Sequence, residues 1–178
     1  MNSFQQCSDV ETEGLKILMP YLTKQAYKGR VVPLFGNENV KELQQSGDVI
    51  IGLREDKCIT FDLKIESRHT GNFFIELWSN KSRLTQGWLF SCKADRILYL
   101  FLDRPNDVYS IQKKNLKHWI FGVENNGRKS RLSEFAEVKQ SKYDQLNDTW
   151  GLLVPILRLT HVGIAKHISL YPENMASA

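Results

Sequence analysis

The sequence is poor in the features that mark secreted, zinc-bound or membrane-spanning proteins. Its three cysteines, Cys7, Cys58 and Cys92, are far apart and form no Cys-x-x-Cys pair or cysteine–histidine cluster at zinc spacing. A disulfide framework or a structural zinc site is therefore not expected. No apolar run approaches the roughly 18 residues needed to cross a bilayer, and Met1 to Val10 lack a signal-peptide pattern. These absences predict a soluble, intracellular, cytoplasmic protein with no membrane partner.

The sequence also has few glycines and prolines and only a small excess of positive charge. Only 11 glycines and 5 prolines accompany 42% apolar and 25% charged residues, which excludes collagen-like, low-complexity and wholly disordered chains. The net charge of +4 permits a nucleic-acid partner without requiring one. A chain of 178 residues is expected to form a single domain over residues 1–178.

The N-terminal part of the chain has the period of a helix. Leucines recur at helical spacing from about Asp9 to Lys28, and Ser8 with Glu11 fits a capping box, so the helix is predicted to start at Ser8. Pro20 predicts a kink or a break. The following stretch is weakly patterned, with an extended segment expected at residues 31–35 and a short helical turn at residues 37–45.

From Gly47 onward the pattern changes to that of strands joined by short loops. Three consecutive strands predict an antiparallel meander: Asp48 to Leu53, Cys58 to Glu66 and Asn72 to Ser79. Later elements are a short helix ending near Ala94, strands at 96–102 and 108–111, a helix at 113–120, and mixed segments at 135–140, 150–157 and 162–170. This order predicts an α+β or α/β fold with one mixed central sheet flanked by helices.

The second of these strands carries a candidate metal site. Alternation places Asp62 and Lys64 on one face of the strand, opposite Phe61 and Leu63. Asp48, at the mouth of the preceding strand, adds a second carboxylate if the two strands pair. Hard oxygen ligands of this kind suit Mg²⁺ or Mn²⁺. The pattern therefore predicts a divalent-cation site with a lysine beside it.

Two further carboxylates are candidates for the same metal shell. Glu76 lies in an otherwise apolar stretch of the third strand, where an unpaired carboxylate would be costly. Glu11 lies in line with the apolar stripe of the first helix and is the acidic residue at its polar end. The capping box and the helix dipole explain Glu11 almost fully without a metal.

Gly47-Asp48, thirteen intervening residues and then Asp62-Leu63-Lys64 resemble the motif of the PD-(D/E)XK nuclease superfamily. The stretch from Thr70 to Leu77, with Gly87-Trp88 and Lys93-Ala94-Asp95, is similar to small phage and mobile-element members. The resemblance implies a restriction-endonuclease-like core over residues 8–121 and a C-terminal extension over residues 122–178. It also implies a catalytic set of Asp48, Asp62, Lys64 and Glu76, with Asp48, Asp62, Glu76 and Glu11 as candidate metal ligands.

Other interpretations of the same residues stay open. In an alternative register, Asp62 is the first acid and Glu76-Leu77-Trp78 the second element, with tryptophan in place of the lysine. Asp62 and Lys64 also fit the solvated face of an antiparallel strand, and Asp48 fits a turn. The sequence around the motif favours the metal site.

A stretch in the second half of the chain has a local excess of positive charge that could follow a phosphate backbone. Its candidate nucleic-acid-binding residues are Lys113, Lys114, Lys117, Arg128, Lys129 and Arg131. Lysines that keep a surface soluble would give the same pattern. The sequence thus predicts a Mg²⁺- or Mn²⁺-dependent nuclease acting on nucleic acid, with DNA favoured and a homodimer compatible. The alternative is a noncatalytic nucleic-acid-binding or protein-interaction module with the same fold.

Overall fold

The structure, a computed structural model, describes residues 3–34, 47–122, 130–140 and 148–171. Contacts within it group into two compact units, each built from separated stretches of the chain. The first unit comprises Met1–His69, Ala94–Ile111 and Lys166–Ala178, and the second comprises Thr70–Lys93 and Gln112–Ala165. The end of the nuclease-like core near residue 121 stays a prediction.

The first unit is a six-stranded mixed sheet with a long helix packed on it. Helix α1 spans Ser3–Gln25 and is followed by a 3₁₀ turn at Tyr27–Gly29. The strands are β1 (Val31–Pro33), β2 (Val49–Gly52), β3 (Cys58–Glu66), β6 (Arg96–Phe101), β7 (Asp107–Gln112) and β10 (Ala165–Ser169), adjacent in that order. β1, β2 and β3 are antiparallel neighbours, whereas β3 and β6 run parallel. The predicted mixed α+β architecture is confirmed at this level.

The core of the first unit lies between α1 and the sheet. Its buried apolar residues come from the helical stripe and from alternate strand positions: Leu18, Leu22, Ala26, Val49, Ile51, Phe61, Leu63, Leu98, Leu100 and Val108. The helix approaches β3 so closely at Gly14 that a Cβ there would lie 2.3 Å from Cδ1 of Ile65. Burial of this apolar surface is the main force that holds α1 on the sheet.

Among the described residues, the second unit is a four-stranded antiparallel sheet with three short helices. Its strands are β4 (Asn72–Asn80), β5 (Thr85–Gln86), β8 (Glu137–Lys139) and β9 (Trp150–Pro155), in the order β5-β4-β9-β8. Its helices are α2 (Trp88–Ser91), α3 (Lys113–Phe121) and α4 (Ile156–His161), with a 3₁₀ turn at Leu132–Glu134. Phe73 and Ile75 on β4 and Leu152 and Val154 on β9 are buried.

Three predictions about local structure need correction. α1 begins at Ser3 rather than Ser8, since no glycine or proline interrupts helical backbone before that residue. Pro20 does not break α1, which continues to Gln25. The three-strand meander is wrong at its third member, because β6 occupies the place beside β3 and β4 pairs with β9 and β5 in the other sheet.

The other elements lie close to their predicted positions. β3 has the predicted bounds, and the strands near 31, 96 and 108 and the helix near 113 are all present. The helical turn expected at residues 37–45 falls outside the described residues. Of the helices that the structure describes, none is long and apolar enough to span a membrane.

Candidate metal centre on the six-stranded sheet

β3 presents Asp62 and Lys64 on the same face, as the alternation of the sequence predicts. Lys64 Nζ lies 2.7 Å from Oδ2 of Asp62, which makes a close ion pair. Asp62 is buried at 9% exposure, whereas the Lys64 side chain retains 28%. The pair therefore joins a buried carboxylate to a cation that still reaches the surface.

Oδ2 of Asp62 is buried, and its close contact is the Lys64 ammonium at 2.7 Å. Within the described residues, no other donor reaches this oxygen. Because desolvation of a buried carboxylate oxygen is costly, Asp62 depends on this cation. A carboxylate has further lone-pair positions, so Asp62 could also bind a metal ion.

The pairing of β2 with β3 places Asp48 beside the Asp62–Lys64 pair. Its backbone N–H donates to the carbonyl of Phe61 at 2.8 Å, and its Oδ2 accepts from the backbone N–H of Leu63 at 2.7 Å. Leu63 is the residue between Asp62 and Lys64. The backbone of β3 thus fixes the Asp48 carboxylate beside the Asp62–Lys64 pair.

Gly47 makes this approach sterically feasible. Its φ is +131°, and a Cβ at this position would lie 2.6 Å from the carbonyl oxygen of Phe61. Proline, whose φ is fixed near −65°, cannot adopt this backbone. The glycine before Asp48 is therefore a requirement of the local geometry.

The electrostatics of Asp48 show how close the charged groups are. Burial, followed by the negative charge of Asp62, raises the pKa of Asp48 to about 6. The Leu63 N–H and the Lys64 ammonium oppose this rise. Two crowded carboxylates share one cation here, and a divalent ion would relieve their repulsion.

Glu11 on α1 also contributes to the potential of this site. Its side chain reaches solvent, but nearby protein partly desolvates it and raises its pKa, while Lys64 opposes the shift and Asp62 adds to it. Glu11 is therefore coupled to both residues of the β3 pair. The structure brings Glu11, Asp48, Asp62 and Lys64 into one electrostatic neighbourhood.

The donor set decides whether this arrangement fits a metal ion. Across residues 3–34, 47–122, 130–140 and 148–171, no three side chains of the aspartate, glutamate, histidine or cysteine type form a group that could hold a metal. Asp48 and Asp62 supply two hard carboxylates, and Oδ2 of Asp62 is buried against the Lys64 ammonium. Mg²⁺ is commonly held by one or two carboxylates, with waters and substrate phosphates completing its shell. The residues present fit that kind of site.

Glu76 belongs to the second unit, on β4. Its Oε1 accepts a hydrogen bond of 3.1 Å from the backbone N–H of Trp88, the first residue of α2. A Cβ on Gly87 would collide with the Glu76 carbonyl oxygen at 2.6 Å, so α2 packs tightly at this point of β4. These contacts give Glu76 a structural role, and its role as a metal ligand stays a prediction.

The basic candidates that the structure describes also belong to the second unit. Lys113, Lys114 and Lys117 lie on α3, where the Lys117 ammonium stands 5.0 Å from the ring centroid of Phe90. Arg131 stacks 5.0 Å from the ring of Trp119 and donates to its carbonyl oxygen at 3.1 Å. Arg128 and Lys129 lie outside the described residues.

Sequence reasoning missed one polar pair on the face that carries the candidate site. Tyr99 on β6 donates a hydrogen bond to Glu66, the third charged residue in the alternating row after Asp62 and Lys64. Burial raises the pKa of Glu66, and the Tyr99 hydrogen bond opposes the rise. The alternation that places Asp62 and Lys64 on one face places Glu66 there as well, but the parallel pairing that supplies Tyr99 is invisible in the sequence.

Comparison with known proteins adds no relative to these observations. No protein-family model, no curated protein and no solved structure matches the chain. The functional argument therefore depends on the residues and their geometry.

Proposed function

We propose that this chain is a Mg²⁺- or Mn²⁺-dependent nuclease of the PD-(D/E)XK type that hydrolyses phosphodiester bonds in DNA. The observation that carries the proposal is the buried Asp62 carboxylate, which pairs with the partly exposed Lys64 and lies beside a second carboxylate of raised pKa. Phosphodiester hydrolysis needs this combination of metal-holding oxygens and a nearby cation.

Each of the three residues has a distinct task in this proposal. Asp48 and Asp62 hold the metal ion, and the Leu63 N–H keeps Asp48 oriented before the ion arrives. When bound, the ion supplies an activated water and offsets charge on the phosphate. Lys64, which keeps contact with solvent, orients the attacking water and offsets negative charge that develops on the nonbridging oxygens.

A restriction-endonuclease-like core is part of the same proposal. It is supported by the order of elements in the first unit: a helix that carries Glu11, the antiparallel pair β2–β3 that carries the motif, and β6 parallel to β3. The alternative register finds no such support, because β4 with Glu76-Leu77-Trp78 is not a member of this sheet. The register that starts at Asp48 is therefore preferred.

A cleavage assay with a paired control tests the proposal. We expect the wild type to cut DNA with Mg²⁺ or Mn²⁺ and to lose activity when a chelator is added. Asp62→Asn keeps the shape of the side chain but removes a metal-holding charge, so it should lose both cleavage and Mn²⁺ binding by calorimetry. Asp56→Asn, an exposed aspartate in the loop between β2 and β3, should retain both.

A noncatalytic nucleic-acid-binding module is the second candidate. It is favoured by the absence of a third metal ligand among the described residues. This candidate predicts Asp62-independent DNA binding with no strand cleavage under Mn²⁺. Intact linear, circular, single-stranded and branched DNA and intact RNA after such an assay would replace the nuclease proposal with this one.

A further inference from the structure

A second polar site lies within the first unit, in a cavity of about 210 Å³. The cavity is bounded by the C-terminal half of α1 and by residues of five strands of the six-stranded sheet. Leu22, Phe61, Leu98 and Ile168 form part of an apolar wall. An apolar cavity of about 150 Å³ can hold benzene, so this volume is enough for a small organic molecule.

Two cations line this cavity, Arg96 at the start of β6 and Lys166 on β10. Arg96 is half-buried, and its Nη1 donates to Oγ of Ser110 at 3.1 Å. Neither cation forms an ion pair with a carboxylate in the part of the chain that the structure describes. A half-buried guanidinium without a counter-ion is well suited to bind an anion.

The remaining polar groups of the cavity are also donors. Ser110 is buried and accepts from Arg96, so its own hydroxyl proton is left to donate. The phenol of Tyr21 is a donor at neutral pH, and burial raises its pKa further while the charge of Arg96 opposes the rise. Gln25 adds an amide at the end of α1. The cavity is therefore rich in donors, carries two positive charges and has an apolar wall.

We infer that this cavity binds a phosphate monoester, with its dianionic phosphate on Arg96 and Lys166 and its organic part against the apolar wall. Two cations match the two negative charges of a monoester near neutral pH, and a planar guanidinium suits bidentate contact with phosphate oxygens. A carboxylate of the same size carries one negative charge and would neutralise only one of the two cations. This inference does not depend on the proposed nuclease activity, since none of these residues belongs to the Asp48–Asp62–Lys64 site.

The test is calorimetric titration of the full chain in EDTA, which removes metal-dependent binding at the other site. Phenyl phosphate is the probe, with inorganic phosphate and benzoate as comparisons that lack its organic part or its second charge. We expect phenyl phosphate to bind at least tenfold more tightly than either comparison. Failure of this titration would leave the cleavage assay unaffected, so the two proposals fail separately.

Variants connect that binding to the cavity. Arg96→Gln should weaken phenyl phosphate binding at least tenfold, and Lys166→Gln, at an exposed position where unfolding is not expected, should weaken it severalfold. Arg104→Gln, an exposed arginine of the same unit, is the matched control and should bind as the wild type does. Equal binding by the wild type and Lys166→Gln, no detectable binding of phenyl phosphate at millimolar concentration, or equal affinity for benzoate would each overturn the inference.

Two sources present this chemistry, a small phosphorylated molecule and the terminal phosphate of a nucleic acid. A pair of oligonucleotides, one with a 5′-phosphate and one with a 5′-hydroxyl, distinguishes them. Tighter binding of the 5′-phosphorylated oligonucleotide that disappears in Arg96→Gln assigns the cavity to nucleic-acid ends. Equal binding of the two oligonucleotides, together with Arg96-dependent binding of phenyl phosphate, assigns it to a small molecule.

Discussion

The Asp48 carboxylate accepts a 2.7 Å hydrogen bond from the backbone N–H of Leu63. Because this N–H lies between Asp62 and Lys64 in the chain, the backbone of one strand orients the carboxylate that the neighbouring strand delivers. A side chain held by backbone is already in place before any ligand binds, which reduces the ordering entropy that binding must overcome. This relationship is the basis of the predictions on Asp48 and Gly47.

Asp48→Asn is expected to stabilise the metal-free protein at pH 7. The pKa of Asp48 is raised from 3.8 to about 6, so the folded protein holds this proton more tightly than the unfolded chain does. Stability from this group is therefore present below pH 4 and is lost as the pH rises through about 6, by about 2–3 kcal/mol. The asparagine side chain can still accept the hydrogen bond from the Leu63 backbone N–H. Because it carries no charge, the variant does not lose stability as the pH rises.

Urea unfolding in EDTA at pH 4, 5.5 and 7 measures the difference. The variant should exceed the wild type by about 1–3 kcal/mol at pH 7, with the gap closing toward pH 4. Asp56→Asn should track the wild type throughout, since this aspartate is exposed in a loop. A gap that is the same at all three pH values would show that Asp48 does not titrate in this range.

Lys64→Ala is expected to lower the rate of cleavage by about 100- to 1,000-fold, because one group that offsets transition-state charge is removed. Binding of Mn²⁺ and of DNA should change little, since Asp48 and Asp62 are both retained. Single-turnover rates and calorimetry separate the two effects, as an interaction made only in the transition state affects rate and not affinity.

Lys57→Ala is the matched control for Lys64→Ala, because Lys57 is an exposed lysine just before the same strand. It should keep the wild-type rate. If Lys64→Ala cleaves as fast as Lys57→Ala, then the lysine is only the counter-ion of Asp62 and has no part in the reaction.

Gly47→Ala is expected to destabilise the protein by about 2–4 kcal/mol. The residue has a positive φ, and its new Cβ would meet the Phe61 carbonyl oxygen at 2.6 Å, so the mutation adds a steric clash to backbone strain. Gly71→Ala isolates the strain, since Gly71 also has a positive φ but open space around its Cβ position. Thermal or urea unfolding of both variants should show Gly47→Ala as clearly the less stable, and equal losses would argue against the clash.

Charge reversal of Lys113 and Lys117 on α3 is expected to weaken DNA binding and to flatten its dependence on salt. For each phosphate that the protein no longer neutralises, the slope of log K against log salt should fall by about 0.9, because fewer counterions are released. Fluorescence anisotropy at several salt concentrations measures the slope. The double reversal of Lys24 and Lys57, which changes net charge equally outside α3, is the control, and identical slopes for the two double variants would assign the α3 lysines to solubility.

The local features of the first unit were predictable because they depend on neighbours in sequence. Alternation in a strand fixes which residues share a face, so the juxtaposition of Asp62 and Lys64 follows from the sequence of β3 alone. A short loop between two strands favours an antiparallel pair by its length, and this places Asp48 next to β3. The spacing of Asp48 and Asp62 in the sequence was therefore enough to predict that their side chains lie close together.

The partner of β4 could not be predicted in the same way. Phe73 and Ile75 alternate with more polar residues and show only that one face of β4 is buried, not which strand lies beside it. The loop at residues 67–71 resembles a hairpin connection, but it leads from the first unit into the second. The prediction that Glu76 is a ligand of the metal ion assumed that β4 lies beside β3.

The order of the segments along the chain has a consequence for synthesis. β10, one edge of the six-stranded sheet, comes from residues 165–169, after every segment of the second unit has been made. During synthesis on the ribosome, one edge of β7 therefore stays unpaired while more than fifty residues emerge. Unpaired strand edges promote association with other chains. Pairings between segments so distant in the chain also predict slow folding. A nascent chain of this protein spends that interval with its largest sheet incomplete.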